Sequence, residues 1–320
     1  MSALPKFVEF HEEGPREGFQ IEKQIYPLEQ RVRLIEMLAD SGLKQVQVGS
    51  FVNPRAVPQM ADTAQLFAAI KKRPGVRFTA LWLNQKGFEM ARNTPQVDLD
   101  GKLLFYTTDV FCVRNNNCNV AENQQRQAQW KRLYDQHSIA VESVYVITAF
   151  GCNFQGEVPV SAMLDQFRFA LDLCRGQALP ALYLADTMGW ANPEAIKQRV
   201  AAVRSLAPDA RIGLHLHDTR GLGPANFYAA LQAGVDLFDS SVAGLGGCPF
   251  ASHADHTAAG NICTEDMVLI GQEMGVATGI DLDKLIVDIE FAQHHREGTL
   301  NGKVMHGGNL NKYRNRAASA

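Results

Sequence analysis

Gly213-Leu214-His215-Leu216-His217-Asp218-Thr219 sets two imidazoles two residues apart at the end of an apolar run. Residues two apart on a β-strand share a face, so a strand here turns both rings the same way and toward one ion. Alone, the spacing fits two hydrogen-bonded core histidines as well as half of a metal site. The segments on either side decide between them.

Outward from this stretch, short β-branched and aromatic runs alternate with longer segments of helical period, the pattern of βα units on a parallel sheet. Strands are expected at 6–11, 45–50, 77–83, 103–107, 143–148, 181–185, 211–215 and 236–240. Helices are expected at 28–41, 60–72, 86–92, 121–137, 161–175, 193–206, 223–233 and 265–275. This alternation predicts an α/β chain folded as a (β/α)8 TIM barrel, a catalytic domain over 1–280. The competing open doubly wound sheet would carry a glycine fingerprint after its first strand. That turn instead reads Glu12-Glu13-Gly14-Pro15-Arg16-Glu17-Gly18-Phe19-Gln20, charged and without GxGxxG. The remainder, 281–320, is expected as a C-terminal helical extension, with a helix over 281–296 and a basic tail. The tail carries Lys303, Lys312, Arg314 and Arg316 and reads either as a solvated segment or as a flap over an anionic substrate.

Composition narrows the class of partner. The chain has 320 residues, is 46% hydrophobic and 20% charged, and carries a net charge of −3, so no global field draws it to nucleic acid or an anionic membrane. Its partner is expected to be a small molecule. With no long apolar span and no apolar leader in the first ten residues, the expected location is cytoplasmic. The six cysteines form no CxxC pair and are expected reduced, most of them as packing residues. Cys248 stands apart, in the glycine-rich Gly244-Leu245-Gly246-Gly247-Cys248-Pro249.

In a TIM barrel the reacting groups come from the carboxyl ends of the strands. Arg16 and Glu17 follow the first expected strand, Gln47 lies in the second, Asp186 follows the sixth, and His215 and His217 end the seventh. His215 and His217 offer two nitrogens, Glu17 a carboxylate and Asn261 an amide oxygen, a donor set suited to Mg²⁺ or Mn²⁺ with positions left for substrate. Such an ion polarises a carbonyl or hydroxyl beside a C–C bond, and the enolate produced by cleavage calls for a cation nearby. Arg16 is the candidate donor. Its alternative is a surface ion pair with Glu17.

From the first strand to about residue 282 the chain resembles the 3-hydroxy-3-methylglutaryl-CoA lyase family of metal-dependent TIM-barrel enzymes. The resemblance is carried by Gly14-Pro15-Arg16-Glu17-Gly18-Phe19-Gln20-Ile21-Glu22-Lys23, by the stretch from Ser50-Phe51-Val52-Asn53-Pro54 to Val57-Pro58-Gln59-Met60, and by Asn117-Cys118-Asn119. It continues through Asp186-Thr187-Met188-Gly189, His215-Leu216-His217-Asp218-Thr219 and the run from Asp239 to Phe250. It implies Glu17, His215, His217 and Asn261 as metal ligands, with Arg16, Asp186 and Cys248 as catalytic residues. Arg16 would steady the enolate, Asp186 act as acid and base, and Cys248 donate a proton from a mobile loop. It also implies an acyl-CoA or hydroxy-acid substrate and a homodimer. Gln20, Lys23, Gln47, His253 and His256 are the candidate substrate contacts.

Three departures stand against the family pattern. Glu17 replaces an aspartate, Gln47 replaces a glutamate and leaves the site one charge more positive, and the segment 250–260 is longer, adding His253, Asp255 and His256. These loop groups fit solvent, substrate or a second ion. Trp190 beside the Asp186 turn reads as packing or as a narrowing of the pocket. The expected activity is divalent-metal-dependent retro-Claisen cleavage of a 3-hydroxy-3-methylglutaryl-CoA-like tertiary 3-hydroxyacyl-CoA to acetyl-CoA and a keto acid. The alternatives are a Claisen-condensing acyltransferase joining acetyl-CoA to a 2-oxo acid, and a noncatalytic ligand-binding descendant.

Overall fold

The computed structural model describes residues 4–22, 24–247, 260–294 and 300–318. The chain runs β1 (Glu9–Glu12), a π-helical turn Gly14–Gly18, α1 (Leu28–Asp40), β2 (Gln45–Phe51), α2 (Thr63–Ala69), β3 (Arg77–Trp82), α3 (Gln85–Asn93) and β4 (Gly101–Tyr106). It continues through α4 (Asp109–Asn116), α5 (Val120–Gln136), β5 (Val141–Ile147), β6 (Gly151–Cys152), β7 (Gly156–Glu157), α6 (Val160–Leu173), β8 (Ala181–Asp186) and α7 (Pro193–Leu206). Last come β9 (Ile212–Leu216), α8 (Gly223–Gln232), β10 (Leu237–Ser240), α9 (Thr264–Glu273), α10 (Leu282–His294), α11 (Val304–Gly307) and α12 (Asn311–Ala318). Eight strands form one sheet in the order β3-β2-β1-β10-β9-β8-β5-β4, with parallel neighbours from β3 to β1 and from β10 to β4, and with their helices they are the (β/α)8 barrel expected from the alternation.

Each long element follows from its residues. β2, Gln45-Val46-Gln47-Val48-Gly49-Ser50-Phe51, is buried along its whole length, as a parallel strand covered on both faces must be. In α1 the buried positions Arg31, Leu34, Ile35, Leu38 and Ala39 recur at three- and four-residue steps and form one stripe. Helix starts are marked by asparagine: Asn84 accepts from the Gly87 amide at 2.8 Å and Asn192 from the Ala195 amide at 2.9 Å. Asn119 and Glu122 close a capping box on α5, with bonds of 2.9 and 3.0 Å.

The described residues form two compact units, one of 4–5, 99–239 and 247, the other of 6–22, 24–98, 240–246, 260–294 and 300–318. In the first, Tyr106, Phe111, Cys112, Cys118, Cys152 and Met188 make one buried cluster, and Tyr145, Tyr183 and Leu237 another, with Tyr145 and Tyr183 stacked at 4.2 Å. In the second, Phe51 stacks on Phe67, and α10 packs on α1 and α9. The basic tail is helical there. Asp266 caps α11 by accepting from the Lys303 and Val304 amides at 2.9 and 2.8 Å, and Arg314 of α12 grips Glu273 of α9 with two bonds of 2.7 and 2.6 Å. A solvated strand of chain is therefore not what residues 300–318 form.

α4, the β6–β7 pair, α11 and α12 had no expectation in the sequence. α4 ends at Asn117, whose left-handed φ of 52° makes the Asn115-Asn116-Asn117 run a helix terminus. The antiparallel pair β6–β7 spans two residues a side, too short for alternation to show. The described cysteines Cys112, Cys118, Cys152, Cys174 and Cys263 are buried free thiols, as expected for packing residues. Among the described residues no helix is long and apolar enough to cross a membrane.

Candidate active site

In the unit built on β1 to β3, the π-helical turn follows β1 directly, its second residue Pro15 giving up no needed donor. The turn carries Arg16 and Glu17. Arg16 is largely buried, and its Nη2 donates to Glu13 Oε2 at 2.7 Å and to Glu17 Oε1 at 2.9 Å, while Nε donates to Gln47 Oε1 on β2. Burial works against the guanidinium charge, but the carboxylates of Glu17 and Glu13 outweigh it and hold the Arg16 pKa above its ordinary value. Gln47, expected to leave excess positive charge, lies against Arg16, and Glu13 brings a further carboxylate to the same guanidinium.

Asn261 Nδ2 donates to Glu17 Oε2 at 2.9 Å. A carboxylate only accepts, so the amide nitrogen must face it and Oδ1 points the other way. That oxygen is buried and has no hydrogen-bond partner among the described residues. Leaving such an acceptor unsatisfied costs about 1–3 kcal/mol, which a hard cation would recover. Gln20, also expected near substrate, accepts only a long 3.5 Å bond from Ser50 Oγ.

In the other unit, β9 ends at Leu216, with His215 on the strand and His217 one residue past it. Asp239 of β10 is the register partner of His215, so both side chains leave the same face, and Asp239 Oδ2 lies 3.0 Å from His215 Nδ1. A carboxylate there holds the proton on Nδ1 and leaves Nε2 as a lone-pair donor. His215 Nε2 and His217 Nε2 face each other 3.1 Å apart.

Asp186 closes β8 and is buried. Its Oδ1 accepts from the Trp190 amide at 2.7 Å and its Oδ2 from the Ala191 amide at 3.0 Å, so the carboxyl caps its own turn. Burial, opposed by those two amides, raises its pKa to about 7, within the range of a group that exchanges protons at neutral pH. Trp190 packs: its Nε1 donates to Asn153 Oδ1 at 2.7 Å, and the ring lies against the Cys152 and Met188 cluster.

Glu17 in the one unit, and His215 and His217 in the other, each offer one ligand atom of a kind that holds a metal ion. Lys23, Cys248, His253 and His256 lie outside the described residues. Asp239 and Glu13 were not among the expected site residues. Asp239 was legible as the residue at the end of the neighbouring strand, and Glu13 as a carboxylate three residues before Arg16.

The model of the HMGL-like family matches residues 7–290. The chain belongs to the HMGL-like family. This HMGL-like chain is 38% identical over 293 residues to the mitochondrial hydroxymethylglutaryl-CoA lyase of Mus musculus, covering 91% of this chain and 86% of that one. It is 36% identical over 283 residues to the 3-hydroxy-3-isohexenylglutaryl-CoA/hydroxymethylglutaryl-CoA lyase of Pseudomonas aeruginosa, covering 88% and 91%. The fold superposes with a TM-score of 0.85, at 32% identity and 97% coverage of both chains, on an HMG-CoA lyase from Acinetobacter baumannii in complex with coenzyme A and 3-methylmalate.

Proposed function

We propose that this HMGL-like protein is a divalent-metal-dependent carbon–carbon lyase that cleaves 3-hydroxy-3-methylglutaryl-CoA, or a close tertiary 3-hydroxyacyl-CoA, to acetyl-CoA and a keto acid. The observation that carries this reading is the close pair of donors His215 and His217, with the carboxylate of Glu17 offered by the other unit, in a chain whose relatives are lyases of such thioesters. Asn261 Oδ1 is the fourth ligand, a buried oxygen with no other partner. Bound there, Mg²⁺ or Mn²⁺ supplies a Lewis acid for the substrate's hydroxyl and a neighbouring oxygen.

The chain's own residues supply the rest. Asp186, with its pKa near 7, takes the proton of the tertiary hydroxyl. The bond between C2 and C3 breaks, C3 becomes the ketone carbon of the keto acid, and the electron pair passes into the thioester enolate. Arg16 holds the charge on the enolate oxygen, and Cys248 returns one proton to C2, so protons balance and acetyl-CoA leaves. Asp239 keeps the His215 Nε2 lone pair directed outward. Gln20, Lys23, Gln47, His253 and His256 belong to the proposal as substrate contacts. So do the homodimer and the cytoplasmic location, with a net charge of −3 supporting a small-molecule partner over nucleic acid or membrane.

Purified protein with 3-hydroxy-3-methylglutaryl-CoA and Mn²⁺ is expected to release acetyl-CoA and acetoacetate in equal amounts. Silence there, with thiol released from acetyl-CoA and a 2-oxo acid, would replace the lyase by a condensing transferase. A Cys248→Ala variant is expected to lower kcat by about a hundredfold or more; unchanged turnover removes the cysteine from the mechanism.

A further inference from the structure

Arg16 is clamped along one edge. Its Nε meets Gln47 Oε1 and its Nη2 meets Glu13 Oε2 at 2.7 Å and Glu17 Oε1 at 2.9 Å, whereas among the described residues no acceptor meets Nη1. Glu13 is only 2% exposed, so its carboxylate is a buried countercharge and not a surface partner. Gln47 contributes direction without charge, and Glu17 is also committed, through Oε2, to Asn261.

We infer that Glu13 is the positioning residue of Arg16. It neutralises the guanidinium along its Nε–Nη2 edge, fixes its plane together with Gln47, and leaves Nη1 for the enolate oxygen. It also spares Glu17: without Glu13, the carboxylate of Glu17 would be the principal countercharge to a buried arginine and would be drawn from the cation toward it. Bidentate or doubly anchored guanidinium groups lose less freedom per bond formed, which is how an anchor distant from substrate raises turnover. The role of Nη1 rests on the lyase reading; the clamp itself does not.

Glu13→Gln keeps the side chain's size and removes its charge. In protein turning over 3-hydroxy-3-methylglutaryl-CoA with Mn²⁺, this variant is expected to lose about tenfold to a hundredfold in kcat, with KM changed by less than about threefold. Adding Gln47→Glu restores a carboxylate to the same guanidinium, so E13Q/Q47E is expected to recover most of the loss. A kcat for E13Q within about twofold of wild type, or a double variant no better than E13Q alone, overturns the assignment. Thermal unfolding of E13Q, R16Q and E13Q/R16Q reads the contact without turnover, and the shifts are expected to be strongly non-additive. If the wild-type chain cleaves no thioester, the lyase reading falls by itself, and additive shifts in this cycle would then dispose of the clamp as well.

Discussion

A single oxygen illustrates how the proposed site would be prepared. Among the described residues Asn261 Oδ1 is buried and unpartnered, its own amide nitrogen being turned to Glu17, so the fold bears the cost of an acceptor that the proposed cation would satisfy. His215 is prepared differently, through the Asp239 carboxylate at 3.0 Å on Nδ1. Asp239→Asn is expected to weaken Mn²⁺ binding by about tenfold to a hundredfold, read by calorimetric titration, because the amide no longer fixes the tautomer. Equal affinity in the variant would show that another contact orients the ring. At this scale the candidate ligands Glu17, His215, His217 and Asn261 came from residue type, the His215–His217 spacing and the family resemblance. Asp239 and Glu13 were passed over despite their placement near the end of a strand and three residues before Arg16, because a residue that acts through another carries no chemistry visible in its own type.

Among elements, the strands and long helices follow their periodicity closely: α7 occupies Pro193–Leu206 as expected, and β8 gains only Asp186. Periodicity fails where an element is short or is held by side chains, as in α4 and the β6–β7 pair. That pair has a tight contact at its start. A Cβ on Gly151 would lie 2.4 Å from the Trp190 ring, which is itself tied through Nε1 to Asn153. Gly151→Ala is therefore expected to cost about 1–3 kcal/mol in urea unfolding, since the indole has no slack to move. A variant as stable as wild type would mean that the hairpin shifts freely. The same contact explains why Trp190 packs, a choice that its place beside the Asp186 turn left open.

The whole molecule carries several buried acids whose titration couples to folding. Burial raises Glu265 from 4.5 to about 8, against the Ala243 amide that donates to its Oε2 at 2.9 Å, and it raises Glu12 to about 7. A folded-state pKa above the unfolded one means that the native protein binds the extra proton between those values, so stability falls as pH rises through that window. Glu265→Gln is accordingly expected to gain in Tm relative to wild type as pH goes from about 5 to 8, with little difference at the acid end; a constant offset would show that Glu265 does not titrate with folding. The sequence by itself determined the (β/α)8 barrel and the metal-ligand types, because hydrophobic period and donor chemistry are local properties. Only the tertiary structure decided that Asp186 caps its own turn, that Glu13 and Gln47 hold Arg16, and that the basic tail becomes α11 and α12 on Asp266 and Glu273. Those outcomes depend on which buried polar groups meet across the fold, and partners far apart in sequence leave no period for a single chain to display.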